Sequence, residues 1–330
     1  MSDIVALIFA KDDQRQQWDQ IYGSIVDQYK RYSGDLAGVA AAESMFLDPD
    51  RVAELRILAT KAPTLRECKD FTDGEEVQAL QHEHNIEIVV QPGDIYAAHK
   101  KPGLAVFDMD STLIQQEVID ELARAVGLYD QVAAITEAAM RGEEPYVDFE
   151  ASLRARVALL KGVPDTIWQQ LQQGIITFTP GAPELLHVLV KLGWKTAVLS
   201  GGFTPLANWV KDTLGMHYAH ANHLVSDLAA GQLTGELVEG KPIIHGHKKR
   251  ELLLEIAKEN GISQGNVIAV GDGSNDLPMM EVAGFGVAFN AKPKVQDAAP
   301  CKLNSKSLLD VLFLLGHAKQ EINAALESQS

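Results

Sequence analysis

Two aspartates, Asp108 and Asp110, stand at the end of an apolar run, residues 104–108 (LAVFD). Such a run predicts a buried parallel strand whose carboxyl end opens onto a site. Side chains two positions apart on an extended segment point to the same side, so both carboxylates can act on one substrate. One can serve as a nucleophile and the other as a general acid and base. A helix N-cap is the alternative for Asp110 or Ser111, but it accounts for one acidic residue and not for two.

Two further polar loops follow predicted strands. Residues 200–202 (SGG) come after a strand at 195–199, where glycines let the backbone approach an oxyanion and the amides of the next helix can bind phosphate. Residues 271–276 (GDGSND) come after a strand at 266–270, and their acidic side chains could hold a hard cation such as Mg²⁺. A plain strand-to-helix turn explains the first loop taken singly, and a loop with a helix N-cap explains the second. A dinucleotide fingerprint is a weak rival for the second loop, because the motif ends in Asp rather than Gly.

A basic run, Lys248-Lys249-Arg250, opens a helix predicted at 247–260. The helix dipole disfavours cations at this end, which indicates that one lysine faces an anion. The alternative is a basic run that is exposed to solvent and has no functional role. The nearby His245 and His247 have no further ligand motif beside them, so we expect exposed histidines rather than a metal site. Loops at the carboxyl ends of parallel strands meet in one crevice. The three loops and one lysine therefore predict a single site.

The elements that must position these residues alternate along the chain. Further strands are predicted at 285–289, and helices at 182–192, 205–214 and 277–283. Strands alternating with helices predict an α/β fold with a doubly wound, Rossmann-like parallel sheet. A helix-rich stretch at about 117–173 interrupts the alternation. A hairpin is predicted with arms near 220–226 and 232–238.

The length of 330 residues and these patterns indicate more than one unit. We expect a small α/β domain at 1–95, a core at 96–318 with a helical cap inserted at about 117–178, and a frayed helical tail at 319–330. The elements expected in the first domain are strands at 4–10, 52–60 and 86–90, helices at 12–32 and 75–84, and a closing turn at Pro92–Gly93.

Composition narrows the functional classes. A formal net charge of −16 argues against nucleic acid or an anionic membrane held by bulk charge. The two cysteines, Cys68 and Cys301, match no disulfide framework or metal-ligand spacing, which favours the cytoplasm. We expect no secretory leader and no membrane span. A homodimer is left open.

The four loop segments, FDMDST, LSGG, a lysine and GDGSND, resemble in order the signatures of the haloacid dehalogenase-like phosphohydrolases. Longer stretches resemble the phosphoserine phosphatase family, namely DMDSTLIQQEVIDELA, FEASLRARVALLKG, VLSGGF, GKPIIHGHKKRELLLEIA and VGDGSNDLPMMEVAG. The resemblance covers about 104–315. It implies a haloacid dehalogenase core with a cap, and hydrolysis of the small molecule O-phosphoserine through a phospho-aspartate, as the last step of serine biosynthesis.

The resemblance also implies roles. Asp108 resembles the nucleophile, and Asp110 the acid that protonates the departing serine and then the base that activates water. Mg²⁺ would be held by Asp108, Asp272 and the backbone carbonyl of Asp110. Lys249, or Lys248 in its place, would neutralise phosphate. The implied substrate-binding residues are Ser200, Gly201 and Asn275 at the phosphate, with Asp276 in support, Glu117 at the ammonium, Arg156 at the carboxylate, and the apolar Met140 and Phe149 in the cap.

Alternatives stay open beside this reading. By composition alone, Glu117 and Arg156 fit solvated helix residues, and Met140 and Phe149 fit the core of the cap. The same chemistry could pass the phosphoryl group to another alcohol, or act on another small phosphate. A binding or regulatory role is a different class of function, in which residues 1–95 sense an amino acid or mediate dimerisation.

Overall fold

In a computed structural model, residues 2–11 and 17–327 are described, with the backbone alone at Met140. The strands form a four-stranded sheet, a six-stranded sheet and a two-stranded hairpin. In chain order they are β1 (Ser2–Ala10), β2 (Ala40–Asp48), β3 (Val52–Ala59), β4 (Ile86–Pro92), β5 (Leu104–Phe107), β6 (Lys195–Phe203), β7 (Tyr218–Asn222), β8 (Leu224–Asp227), β9 (Gln232–Leu237), β10 (Val267–Gly271), β11 (Phe285–Phe289) and β12 (Cys301–Leu303).

Helices connect and cover these strands. In chain order they are α1 (Trp18–Ser33), α2 (Leu65–Thr72), α3 (Glu75–Glu83), α4 (Gly93–Ala98), α5 (Val118–Ala125), α6 (Tyr129–Met140), α7 (Phe149–Ala158), α8 (Ile167–Gly174), α9 (Ala182–Lys191), α10 (Thr204–Thr213), α11 (Gly246–Glu259), α12 (Leu277–Val282), α13 (Pro293–Ala298), α14 (Val311–Leu314) and α15 (Lys319–Glu327). None of the helices within 2–11 and 17–327 combines the length and the apolar character needed to cross a membrane.

The six-stranded sheet is parallel throughout, in the order β12-β11-β10-β5-β6-β7. Its central strand β5 is apolar on both faces: Leu104 and Val106 belong to one core cluster, Ala105 and Phe107 to the other. Residues of α11, α12 and α13 pack on the first face, and residues of α9 and α10 on the second. The predicted doubly wound sheet is confirmed, because helices cover both of its faces.

Helices α5–α8 form an insertion between β5 and α9, as the break in alternation predicts. Its two connections to the sheet run side by side, since Ile114 and Phe178 pair as an antiparallel bridge and Gln115 N donates to Thr177 O at 2.9 Å. The hairpin prediction is wrong in its first arm. Only β8 pairs with β9, whereas β7 joins the parallel sheet beside β6. Apolar alternation identifies a strand but not its partner.

The four-stranded sheet has the antiparallel order β2-β3-β1-β4. On β1, Ile4, Ala6 and Ile8 face a core shared with α1–α3, while Val5, Leu7 and Phe9 belong to the same hydrophobic cluster as one face of the parallel sheet. The sheet is thus covered on both sides. This explains why β1 is apolar without a break.

Several details differ from expectation. The sequence pattern misses the strands β2 and β12 and the short helices α2, α4, α13 and α14. The predicted closing turn at Pro92–Gly93 is wrong, because β4 runs to Pro92 and α4 begins at Gly93. Gly93 is required there by close approach, since a Cβ would lie 2.6 Å from Asp3 Cβ. At the other end of the chain, α15 packs rather than frays, with Ile322 buried.

Candidate active site

The loop after β5 places Asp108 at the carboxyl end of the parallel sheet. Its backbone amide still bonds to Val270 O of β10 at 2.9 Å, so the residue begins from a fixed strand end. Asp108 Oδ1 accepts a hydrogen bond from Met109 N at 2.7 Å. Three residues after Asp108, the chain turns sharply at Ser111, which adopts a left-handed φ of 55°. The nucleophile candidate is therefore buried and has one oxygen held in place.

Lys249 reaches this carboxylate from the first turn of α11. Its Nζ lies 2.7 Å from Asp108 Oδ1 and 2.7 Å from Asp276 Oδ1, and the side chain is fully buried. Burial alone would lower the pKa of Lys249, but the two carboxylates outweigh it and raise the pKa. Lys248 points elsewhere on the helix and bonds to Glu251 at 3.0 Å. Of the two adjacent lysines, Lys249 is the one in the site.

The loop after β10 adds two carboxylates. Ligand oxygens of Asp108, Asp272 and Asp276 all lie within 4.8 Å of one another. Asp276 is tied down by Lys249 and by Gly273 N, which donates to its Oδ2 at 3.0 Å. Asp272 Oδ1 accepts from Thr112 at 3.2 Å. Within the described chain, Asp108 Oδ2 and Asp272 Oδ2 accept no hydrogen bond and stay available to a ligand.

The electrostatics of this cluster favour the binding of a cation. Burial first, and then Asp276 and the other nearby carboxylates, hold the pKa of Asp108 well above its usual range despite Lys249. Burial, Asp276 and Glu117 raise the pKa of Asp272 to about 7. Converging carboxylate oxygens are hard ligands of the kind that Mg²⁺ prefers, and a divalent ion would offset their repulsion. The residues present therefore fit such an ion.

Asp110 lies beside the cluster, but its carboxylate points toward the loop after β6 and the start of α5. Oδ2 accepts from Ser200 Oγ at 3.0 Å, and Oδ1 accepts from Val118 N at 2.8 Å. Burial and the nearby Glu117 raise the pKa of Asp110 to about 7. A carboxyl group with a pKa near neutral pH can both give and take a proton, which suits a general acid and base. The expected metal contact of its backbone carbonyl stays a prediction.

The second loop lies against both Asp110 and the cap. Gly202 N donates to Ser200 Oγ at 2.8 Å. A Cβ on Gly202 would lie 3.0 Å from Asp110 Oδ2, and a Cβ on Gly201 would lie 3.4 Å from the Phe149 ring. Glycine at these positions leaves room for the catalytic carboxylate on one side and for the cap on the other.

Three of the residues named from the sequence belong to the cap. Phe149, at the start of α7, packs over Gly201. Glu117 is exposed and its Oε1 accepts from Ser111 Oγ at 2.8 Å. Arg156 is half-buried, and its Nε donates to Ser152 O at 3.2 Å. Burial lowers the pKa of Arg156. The guanidinium has no ion-pair partner among residues 2–11 and 17–327.

The remaining candidate residues have fewer described contacts in the site. Asn275 is half-buried in the third loop, where its carbonyl approaches Gly246. Met140 ends α6, and its side chain lies outside the described atoms. His247 is exposed as expected, but His245 is half-buried, with its ring centroid 6.4 Å from that of Phe149.

Sequence reasoning overlooks one buried polar residue near the site, Asn222 at the end of β7. Its only signal is its position at a strand end, the same signal that identifies Asp108 and Ser200. The signal is lost because the segment is assigned to a hairpin rather than to the parallel sheet.

Comparisons with known proteins agree with this geometry. The profile of the haloacid dehalogenase-like hydrolases matches residues 105–281. A phosphoserine phosphatase from Saccharomyces cerevisiae is 46% identical over 244 residues, which are 74% of this chain and 76% of the relative. The chain belongs to the haloacid dehalogenase-like hydrolase family.

Solved structures give the same picture. A probable phosphoserine phosphatase from Vibrio cholerae, in unliganded form, superposes with a TM-score of 0.67 at 28% identity, over 100% of this chain and 89% of that one. A structure described as a phospho-aspartyl intermediate analogue of phosphoserine phosphatase has a TM-score of 0.58 at 40% identity, over 64% of this chain and 98% of its own. The first spans both sheets, and the second is shorter.

Proposed function

We propose that the protein is a magnesium-dependent phosphatase that hydrolyses O-phosphoserine to serine and phosphate, as the last step of serine biosynthesis. One observation carries the proposal: Asp108 is buried, its Oδ1 is held by Lys249 and Met109, and its Oδ2 is available to bond to phosphorus. Relatives that carry the name phosphoserine phosphatase support the choice of substrate.

The mechanism uses the two aspartates in turn. Asp108 Oδ2 attacks phosphorus, the bond from phosphorus to the serine oxygen breaks, and Asp110 gives that oxygen its proton. Asp110 then takes a proton from a water molecule whose oxygen attacks phosphorus, the bond to Asp108 breaks, and phosphate leaves. The raised pKa of Asp110, about 7, suits a group that starts protonated and returns to that state.

Positive charge and fixed donors hold the phosphate during both steps. Lys249 faces Asp108 directly, and Ser200 Oγ, the Gly201 amide and Asn275 would bind or support phosphate oxygens. Asp108 and Asp272 would hold Mg²⁺ with the Asp110 carbonyl, supported by Asp276. When bound, the ion supplies the charge that attracts a phosphate dianion into an acidic cluster.

Substrate selection is assigned to the cap. Arg156 is a half-buried guanidinium free of ion pairs in the described part of the chain, and a planar guanidinium suits a carboxylate. Glu117 would face the ammonium group of the substrate. Phe149, packed over Gly201, and Met140 would shield the reaction from water.

The test compares two arginines of α7. Arg154 pairs with Glu150 at 2.6 Å on the surface and is the matched control. We expect Arg156→Ala to lower kcat/KM for phosphoserine by about 30-fold or more, with a smaller loss for p-nitrophenyl phosphate, because only phosphoserine carries a carboxylate. Arg154→Ala should change neither. Equal losses on both substrates would remove Arg156 from the substrate site. Failure of the unchanged protein to release serine with Mg²⁺ would overturn the function itself.

The organisation of the chain belongs to the same proposal. We assign residues 1–95 to a regulatory domain, 96–318 to the catalytic core with its cap at about 117–178, and 319–330 to a C-terminal segment whose helix α15 packs on the core. The separate antiparallel sheet supports the first division. A cytoplasmic location is supported by Cys68 and Cys301, which are both free and buried.

A homodimer is proposed through the edge strand β2. Its residues 40–46 are exposed, including Met45 and Phe46, and its outer edge pairs with no described strand. Unprotected edges of this kind favour pairing with a second strand. Sedimentation should give a dimer that Phe46→Lys converts to a monomer; a monomeric wild type would exclude the assembly.

A further inference from the structure

Asn222 is a buried side chain that bonds to two separate loops of the site. It ends β7, is 1% exposed, and lies next to the loop that follows β6. Its Nδ2 donates to Gly201 O at 2.8 Å, and its Oδ1 accepts from Ile244 N at 2.9 Å. Because one partner is an acceptor and the other a donor, only this orientation of the amide satisfies both.

The first bond starts a continuous chain that ends on Asp110. Gly201 O and Gly202 N belong to one planar peptide, so a donor on the carbonyl also fixes the direction of the amide. That amide donates to Ser200 Oγ at 2.8 Å, and Ser200 Oγ donates to Asp110 Oδ2 at 3.0 Å. The amide bond uses one lone pair of Ser200 Oγ and holds this oxygen beside Asp110 Oδ2.

The peptide between the two glycines needs an external restraint. Glycine has the widest choice of backbone angles, so the Gly201–Gly202 peptide is easily rotated. Asn222 is itself held, because Thr204 Oγ1 donates to the backbone carbonyl of Asn222 at 3.0 Å and to that of Ala221 at 3.2 Å. A rigid strand end thus fixes a flexible peptide.

The second bond reaches the segment that leads to Lys249. Ile244 is buried two residues before the start of α11, and Lys249 N bonds to His245 O at 2.9 Å in the first turn of that helix. One side chain therefore connects the loop that presents Ser200 with the segment that presents the catalytic lysine.

We propose that Asn222 is a positioning residue for proton transfer by Asp110. It holds the Gly201–Gly202 peptide so that Ser200 Oγ stays in hydrogen-bond contact with the Asp110 carboxyl group, and it touches neither substrate nor reacting atoms. This role rests on the function proposed above, in which Asp110 protonates the departing serine oxygen. Loss of the Asn222 side chain should therefore lower kcat/KM most for a substrate whose leaving group must be protonated by Asp110.

The choice of leaving group separates this role from a merely structural one. The serine oxygen is a poor leaving group without a proton, whereas p-nitrophenolate leaves readily as an anion. We expect Asn222→Ala to lower kcat/KM for phosphoserine by about 10-fold to 100-fold, part of what general acid catalysis supplies. The loss for p-nitrophenyl phosphate should stay within about threefold. A variant that merely lost folded protein would lower both values equally.

Asn260→Ala is the matched control. Asn260 is a partly buried asparagine, and its Nδ2 donates to Tyr218 Oη at 2.9 Å and to Ile256 O at 2.8 Å, at the opposite end of α11 from Lys249. This variant should leave the ratio of the two kcat/KM values within about twofold of wild type.

The full-length protein with Mg²⁺ is assayed on both substrates. A fall in the ratio in Asn222→Ala but not in Asn260→Ala supports the role, and an unchanged ratio in Asn222→Ala overturns it. If Asn222→Ala does not fold, Asn222→Asp at pH 8 keeps the acceptor for Ile244 and removes the donor to Gly201; the same criterion then applies. Wild type that cleaves the aryl ester but not phosphoserine would refute the proposed function instead.

Discussion

Two clusters in this molecule share one plan, a cation between two buried aspartates, but they differ in charge balance. They are Lys249 with Asp108 and Asp276 at the end of the parallel sheet, and Arg51 with Asp48 and Asp310 where the antiparallel sheet meets the rest of the chain. The first cluster faces the candidate site. The second joins the turn between β2 and β3 to the segment before α14.

The Arg51 cluster is balanced and closed. Arg51 binds both oxygens of Asp310, at 2.9 and 2.8 Å, and its Nε binds Asp48 at 2.6 Å. Lys319 supplies a second cation at 2.9 Å from the other oxygen of Asp48. Two cations thus face two carboxylates, and every carboxylate oxygen has a partner. Such a cluster holds two parts of the chain together and leaves no carboxylate oxygen of its own available to a ligand.

The Lys249 cluster has a surplus of negative charge. One cation faces Asp108 and Asp276, while Asp272 and Asp110 lie close by and have no ion-pair partner in the described part of the chain. Burial and mutual repulsion raise the pKa values of Asp108, Asp110 and Asp272. Unbalanced charge that folding does not relieve is a mark of a functional site, whereas balanced charge indicates a structural one.

The largest expected effect comes from Asp108→Asn. Asparagine keeps the shape but cannot form the phospho-enzyme, so phosphoserine turnover should fall by about a thousandfold or more. Because one charge leaves a crowded cluster, the melting temperature of the metal-free protein should not decrease. Serine release and thermal unfolding are the measurements. Turnover within tenfold of wild type would contradict the assignment of the nucleophile.

The adjacent lysines provide the next comparison. Lys249→Ala removes the buried cation between Asp108 and Asp276, and we expect turnover to fall by about a hundredfold or more. Lys248→Ala removes a surface partner of Glu251, so the change should stay within about twofold. Steady-state kinetics on both variants measure the contrast. Similar losses in the two would show that the lysine run acts through its bulk charge.

Breaking the balanced cluster should affect stability rather than catalysis. Asp310→Asn leaves the Arg51 guanidinium without its bidentate partner. We expect the free energy of unfolding to drop by roughly 2 to 3 kcal/mol, less than for a fully buried pair, because Arg51 is 37% exposed and keeps Asp48. Turnover per folded molecule should stay within about twofold. Urea unfolding and kinetics on the same preparation test this. A large loss of turnover at unchanged stability would place the Arg51 cluster in the catalytic machinery.

The sequence predicts the parallel sheet and its polar strand ends because both depend on local patterns. Asp108, Ser200 and Asp272 each follow an apolar strand, and strand ends of a parallel sheet converge. What it misses depends on distant partners. The edge strand β2 shows no alternation because residues 40–46 are exposed on both faces. The role of Asn222 depends on Gly201 and Ile244, some 20 residues away in either direction.

The smallest predicted effect is a pH dependence of stability, which tests the surplus negative charge of the Lys249 cluster. Folding raises the pKa of Asp272 from 3.8 to about 7, so between these values the folded chain keeps a proton that the unfolded chain has lost. This carboxyl group therefore reduces stability as pH rises from about 4 to about 7. Buried His99, whose pKa burial lowers to about 4, gives the opposite trend, so total stability cannot isolate Asp272.

The difference between wild type and Asp272→Asn can isolate it. In metal-free protein, the free energy of unfolding of the variant should increase relative to that of wild type by roughly 2 kcal/mol as pH rises from about 4 to about 7. This is less than the full pKa shift implies, because Asp272 is partly solvated. Urea unfolding at several pH values measures this difference. With saturating Mg²⁺ the order should reverse, because an ion bound to wild type stabilises the ionised carboxylates. A difference independent of both pH and Mg²⁺ would mean that the Lys249 cluster is as balanced as the Arg51 cluster.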